Sequence, residues 1–344
     1  MLVISISLSV IVLSYIAAGE VFNWAHRRQL LVIPNIRSLH QVPTPTGGGL
    51  GIVIATLFAI ILAVLLRPAW IIPGFLLYIF GGLLVAAVSW WDDLYSLSAK
   101  IRISVHSVAA LMVLFGIGHY EIFELPQKGI IGLGWLGYPL TLIWIVGLIN
   151  SYNFTDGIDG NAGSQGIIAG LIWAIAGLFL ELPFVSLIGL FTAAACLGFL
   201  GHNWQPARIF MGDVGSTFLG FTFASLPIVA YQLTGNPRML LFGGLAVAPL
   251  IWDAIYTTTL RLLKGEPIFK AHRTYLYQRV VSMGYSHRFV TTIYAILLLA
   301  LGMCGIFYLA LPGPWRWGFL VLAATVLTLQ VVIVFAAEKR TKPL

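Results

Sequence analysis

Charge is what this 344-residue chain lacks: 9% of its residues are Asp, Glu, Lys or Arg, and only 12 are acidic. With 59% hydrophobic residues and a mean hydropathy of +0.95, too little polar surface remains to dissolve a globule in water. A soluble protein is thereby excluded. Cysteine is nearly absent too. Cys196 and Cys304 both lie inside apolar runs, which argues against a disulfide scaffold or a thiolate metal site. No Ser/Pro-rich linker or internal repeat interrupts the chain, so it reads as one integral-membrane domain over 1–344. The net charge of +7 is scattered over short loops between apolar runs, so the expected partner is a lipid bilayer and not nucleic acid.

Long apolar runs are what the chain has in excess. A spanning helix needs about 20 apolar residues. Runs near 2–21, 48–66, 71–90, 104–120, 134–151, 164–180, 184–202, 216–232, 239–260, 289–311 and 316–336 give eleven expected spans. The fold class is therefore an all-α polytopic membrane protein. The first run has no basic residue before it and His26, Arg27 and Arg28 after it. A cleaved leader has the opposite polarity, so this is read as an uncleaved span with its N-terminus outside. Threading the spans from there puts 15 of the 19 Lys and Arg residues on one side, with the C-terminal tail. By the positive-inside rule that side is cytoplasmic.

Five aspartates interrupt this hydrocarbon: Asp92 and Asp93 in SWWDDLYSLSAK, Asp156 and Asp159 in NSYNFTDGIDG, and Asp213 in IFMGDVGS. A carboxylate at membrane depth costs several kcal/mol, so such groups mark function. The threading brings all five to the cytoplasmic side, where the loops form the expected active site. Asparagines accompany them (Asn150, Asn153, Asn203), as do glycines at 47–49, 157, 160, 163, 212 and 215. Carboxylates with amide oxygens suit Mg²⁺, which keeps water and substrate phosphate in its remaining positions. Glycines let backbone N–H groups approach phosphate, and Arg208, Lys264, Lys270, His272 and Arg273 can pair with it. Together these features point to metal-assisted phosphoryl transfer.

Each motif also has a plainer reading. Asp92 and Asp93 could cap a helix. Asn150, Asn153, Asp156 and Asp159 recur every three residues and could form an Asx-rich turn. Such a stripe drifts around a straight helix, so Gly157 and Gly160 suggest a break that re-aims the later pair. Asp253, inside the ninth run, has two readings, a buried structural group bonded to a neighbouring helix, which is preferred, or a catalytic one. His40, His106 and His202 read as structural or interfacial.

In order, RSLHQVPTPTGGGLGI, WWDDLYSLSAKIR, NSYNFTDGIDG, NWQPARIFMGDVGSTFLG and KGEPIFKAHRTYLYQR resemble the polyprenyl-phosphate N-acetylhexosamine-1-phosphate transferases. The resemblance implies exchange at the cytoplasmic face of a bacterial inner membrane, with the N-terminus periplasmic. Undecaprenyl phosphate attacks a UDP-N-acetylsugar, either directly, which is favoured because the phosphate is already ionised, or by way of a covalent phospho-sugar on an aspartate, giving undecaprenyl-diphospho-sugar and UMP, with Mg²⁺ as cofactor and Mn²⁺ able to replace it. It implies that Asp92 acts on the lipid phosphate, that Asp93 assists through metal or hydrogen bonds, and that Asp213 is the principal metal ligand with Asn153 beside it. Asp156 and Asn203 become nucleotide-side contacts. Asn150, Asp159, Lys100, His272 and Arg273 complete the substrate-binding set, and a homodimer is compatible with it.

The chain departs from the common pattern in places. His272-Arg273-Thr274-Tyr275-Leu276-Tyr277-Gln278 replaces a histidine cluster and is closer to the O-antigen-initiating branch. Asn161 follows DGIDG where Leu is usual, and Thr46 precedes the glycines where a basic residue is common. Two other classes compete: a cation- or proton-coupled transporter or flippase, which wants carboxylates deep within spans, and an aspartate-rich prenyltransferase, which wants DxxxD pairs.

Overall fold

The structure is a computed structural model that describes residues 1–34, 42–126, 128–267 and 272–341; Arg37, His40 and Lys270 lie outside the described residues. The chain is helical: α1 (Leu2–Arg27), α2 (Leu50–Leu66), α3 (Phe75–Tyr95), α4 (Ala99–Gly116), α5 (Gly137–Phe154), α6 (Asn161–Phe179), α7 (Pro183–Asn203), α8 (Gly212–Thr234), α9 (Met239–Leu245), α10 (Ala248–Leu263), α11 (Leu276–Ser282), α12 (His287–Ala310) and α13 (Arg316–Thr341). Among the described residues two short antiparallel strand pairs accompany them, β1 (Leu31–Val32) with β2 (Thr44–Pro45), and β3 (Ile122–Leu125) with β4 (Gly129–Gly132).

Among the described residues nine helices are long and apolar enough to cross a membrane, or ten if α9 and α10 form one broken span bent by 83°. Two of the eleven expected spans take another form than a long unbroken helix. α2 has 17 residues, about 25 Å at 1.5 Å per residue, short of a bilayer core about 30 Å thick. It starts late because the preceding glycines are not helical: the Gly48 and Gly49 N–H groups donate to Phe210 O and Met211 O, both at 2.9 Å. The ninth run breaks between Leu245 and Ala248, just before Pro249, whose ring and missing N–H disfavour a continuous helix. The fourth span starts earlier than expected because Ser98 caps α4, its Oγ accepting from Ile101 N at 3.4 Å.

Lipid supplies no hydrophobic force between helices, so close packing rests on small residues. A Cβ on Gly170 would come within 2.5 Å of Gly189 O, and one on Gly49 within 2.4 Å of Gly215 Cα. The first contact seals α6 against α7. The second draws the start of α2 onto α8, the central helix, whose spanning window is entirely buried. The glycines at 47–49 thus serve packing and backbone pairing, which corrects their expected role as a phosphate cradle. Cys196 and Cys304 are buried free thiols.

Candidate active site

All five aspartates line one chamber of about 550 Å³, assembled from the C-terminal end of α3, the turn after α5 and the N-terminus of α8. Helix α5 ends at Phe154 and Gly160 takes φ +73°, so the backbone turns where the glycines suggested. Asn150 and Asn153 stay on α5, while Asp156 and Asp159 face the chamber from the turn.

Asp92 is buried. Its Oδ1 accepts from Leu97 N (2.5 Å) and its Oδ2 from Arg102 Nη1 (3.0 Å). The same Arg102 nitrogen donates to Asp213 Oδ2 at 3.2 Å, and the Asp92 and Asp213 carboxyls touch. Arg102 therefore straddles two carboxylates whose proximity demands a cation. Asn153 lies beside Asp213 and donates to Ser216 Oγ at 3.3 Å. Asp213 and Asp92 bring two carboxylates together with the Asn153 amide alongside, and Mg²⁺ takes one or two carboxylates with the rest left to water and phosphate. They fit that ion. Among the described residues no group of three or more His, Cys, Asp or Glu side chains is placed to hold a metal ion.

Asp93 does something else. Its two oxygens accept from Asp213 N (2.8 Å) and Val214 N (3.1 Å), so it caps the N-terminus of α8 from a neighbouring helix. A carboxylate there satisfies orphan N–H groups and complements the helix dipole. Gly212 makes the approach possible: it sits at φ +76°, and a Cβ would lie 2.6 Å from Asp93 Oδ2. The capping reading, posed for the DD pair on its own helix, holds for Asp93 on another one. Asp93 thereby aims Asp213, through the hydrogen bonds that were one of its two expected ways of assisting.

Asp156 lies against this cluster. Burial, followed by the Asp213 and Asp93 carboxylates, pushes its carboxyl well above the usual range, opposed by a bond from the Gly212 N–H. Asp159 is held on all sides: Ala207 N donates to Oδ2 (3.1 Å), His287 Nδ1 lies 3.3 Å from Oδ1, and Thr291 Oγ1 donates to its carbonyl (2.9 Å). Asn203 borders the chamber, yet its amide is spent on the backbone, accepting from Gly160 N (3.0 Å) and donating to Ile209 O (2.9 Å). Both tie the turn to the 204–211 loop.

A second cavity of about 630 Å³, mostly apolar, runs between α4, α5 and α10. Arg102 and Asp213 line both cavities, so the two meet at that pair. Asn150, Asn153, His272 and Tyr275 line the second cavity. Asn150 Nδ2 donates to Val146 O (2.7 Å) and lies 3.3 Å from His106 Nδ1, so His106 borders the site as well as bracing it. His272 Nδ1 contacts Thr274 Oγ1 at 2.8 Å, and burial, then Arg261, lowers its basicity.

Lys100 is exposed and lines neither cavity, and the same two cavities leave out Arg273 and Arg208, whose guanidinium lies over the Phe22 ring. The basic residue that sequence reasoning missed is Arg102, two positions beyond Lys100. Its signal was present: the Ser98 cap fixes the first turn of α4 and sets Arg102 at the end of that turn. Gln278 and His287 also line the acidic chamber. Of the two readings of Asp253 the bonds favour the structural one: buried, it accepts from Leu276 N, Tyr277 N, Tyr294 Oη and Thr257 Oγ1 at 2.7–3.2 Å.

The arrangement has named relatives. The family model described as Glycosyl transferase family 4 matches residues 75–231, the stretch holding all five aspartates. A probable undecaprenyl-phosphate N-acetylglucosaminyl 1-phosphate transferase of Bacillus subtilis is 30% identical over 265 residues, 76% of this chain and 73% of that protein. A decaprenyl-phosphate N-acetylglucosaminephosphotransferase of Mycolicibacterium smegmatis is 31% identical over 82% of this chain and 76% of its own. A phospho-N-acetylmuramoyl-pentapeptide-transferase of Chlamydia muridarum is 31% identical over 77% and 83%. On that identity and coverage, the chain belongs to the polyprenyl-phosphate N-acetylhexosamine-1-phosphate transferases of glycosyl transferase family 4.

Proposed function

We propose that this protein transfers an N-acetylhexosamine 1-phosphate, or that of a 6-deoxy relative, from a UDP-sugar to undecaprenyl phosphate at the cytoplasmic face of a bacterial inner membrane, initiating O-antigen or another envelope polysaccharide. The observation that carries this reading is the meeting of a five-aspartate chamber with a mostly apolar cavity at Arg102 and Asp213. A polar, doubly phosphorylated donor suits the first. The phosphate end of a long hydrocarbon acceptor suits the second. An oxygen of the acceptor phosphate attacks the β-phosphorus of the donor. The bond from that phosphorus to the oxygen bridging it to the α-phosphate breaks, and UMP leaves with that oxygen.

Such a reaction needs charge neutralisation and alignment more than a strong base, because the attacking phosphate is already ionised near neutral pH. Asp213, Asp92 and Asn153 would hold Mg²⁺, or Mn²⁺ in its place, supplying the positive charge that binds the diphosphate. Arg102 reaches both cavities and can clamp phosphate oxygens in two bonds. Asp92 orients that guanidinium, Asp93 fixes the start of α8, and Asp159 and Asn203 keep the turn that presents Asp156. The test is incubation of the purified protein with undecaprenyl phosphate, Mg²⁺ and a panel of UDP-N-acetylhexosamines. A butanol-extractable sugar lipid is expected with at least one donor. Cation-dependent transport without such a product would favour the transporter reading.

A further inference from the structure

Helix α11 is one short element that faces both cavities: Tyr275, its N-cap, lines the apolar one, and Gln278, three residues on, lines the acidic one. Residues three apart share a helix face, so a small rotation of α11 moves both side chains together. Between them Tyr277 Oη donates to Phe154 O at 2.8 Å. It packs so closely on the turn that a Cβ on Gly157 would lie 2.2 Å away. The aim of α11 thus also bears on the turn carrying Asp156.

Charged side chains from two other helices hold the ends of this helix. Asp253 of α10 grips its N-terminal N–H groups. At its other end Arg279 makes a two-bond pair with Glu338, near the end of α13, Nε to Oε1 at 2.7 Å and Nη2 to Oε2 at 2.5 Å. The guanidinium also lies 4.1 Å from the Phe335 ring centroid. The side chains are 12% and 27% exposed. Exposed pairs contribute little, but a half-buried, two-bond pair stacked on a ring fixes an orientation.

We propose that Glu338 is a positioning residue of the active site. Through Arg279 it sets the rotation of α11, and so the aim of Gln278 into the chamber that, on the reading above, takes the UDP-sugar. The outermost helix thereby becomes part of the donor site. The experiment measures donor KM, kcat and thermal midpoint for the wild type, Glu338→Gln, Arg279→Lys and the exchanged pair Arg279→Glu/Glu338→Arg. Wild-type turnover tests the underlying reading separately. Given that turnover, each single variant is expected to raise donor KM about tenfold, the loss of roughly one charge-assisted bond, with kcat within about threefold. The exchanged pair recovers at least part of that KM. Single variants that lower the thermal midpoint while leaving donor KM within about twofold would overturn the proposal. If Glu338→Gln does not accumulate, Arg279→Lys carries the same comparison.

Discussion

Replacing Asp93 by Asn separates a helix cap from a metal ligand. In the structure both Asp93 oxygens are engaged, with Asp213 N at 2.8 Å and Val214 N at 3.1 Å. An amide keeps one acceptor, loses the charge and turns an NH₂ group toward an N–H. A hydrogen bond to a charged group is worth about 1.5–3 kcal/mol, and the charge at a helix N-terminus about 0.3–2 kcal/mol. The expected loss is therefore about 2–4 kcal/mol, concentrated on the residue that carries Asp213. Asp93→Asn should lower the thermal midpoint of the detergent-solubilised protein by several degrees and reduce turnover at least about thirtyfold. Gly212→Ala should do the same with every carboxylate retained, because its Cβ would meet Asp93 Oδ2 at 2.6 Å and its φ of +76° strains any other residue. Scanning calorimetry and initial rates on both variants make the check. An inactive Asp93→Asn of unchanged thermal midpoint, beside a fully active Gly212→Ala, would refute the cap and return Asp93 to direct chemistry.

Asp213→Asn keeps the shape and removes the charge that holds a hard cation; it should abolish turnover and lose saturable Mn²⁺ binding by electron paramagnetic resonance, and near-normal activity at low Mg²⁺ would contradict the assignment. Arg102→Gln should lower kcat at least about a hundredfold, the loss of two charge-assisted contacts, while Lys100→Ala stays within about threefold; equal effects in steady-state kinetics would show that Arg102 holds no special place. Tyr275→His should raise the KM for the polyprenyl acceptor, whose cavity it lines, while Arg273→Lys, at a residue outside both cavities, should stay within about threefold; an unchanged acceptor KM in steady-state kinetics would leave Tyr275 without a substrate role.

Much of this site was readable from the chain, and the exceptions share a cause. The aspartates stood out because isolated carboxylates in hydrocarbon need a reason. The break after Phe154 followed from a three-residue polar repeat that a straight helix cannot keep on one face, whereas Asp253 stayed open between two readings until its four buried bonds favoured the structural one. Asp93 was not resolved in this way, because its partner N–H groups lie 120 and 121 residues away and a cap supplied by another helix leaves no local spacing. Arg102 was passed over for Lys100, since both count equally toward membrane orientation and only the register of α4 tells them apart. The 47–49 glycines looked like a phosphate loop because glycine signals close approach without naming the partner, which proved to be α8 and the strand-like stretch before it. The kink between α9 and α10 was hidden in a run that is apolar throughout; Pro249 was its one local sign.

The most direct measurement follows the phosphorus. With UDP-N-acetylglucosamine labelled in the β-phosphate, undecaprenyl phosphate and Mg²⁺, the label should pass into the butanol-extractable lipid together with the sugar. Unlabelled UMP should appear in equal amount, and both should vanish in Asp213→Asn. The same result with another UDP-N-acetylhexosamine would change only the sugar. Release of labelled UDP, with sugar but no β-phosphate reaching the lipid, would place bond cleavage on the wrong side of the phosphate and contradict sugar-1-phosphate transfer.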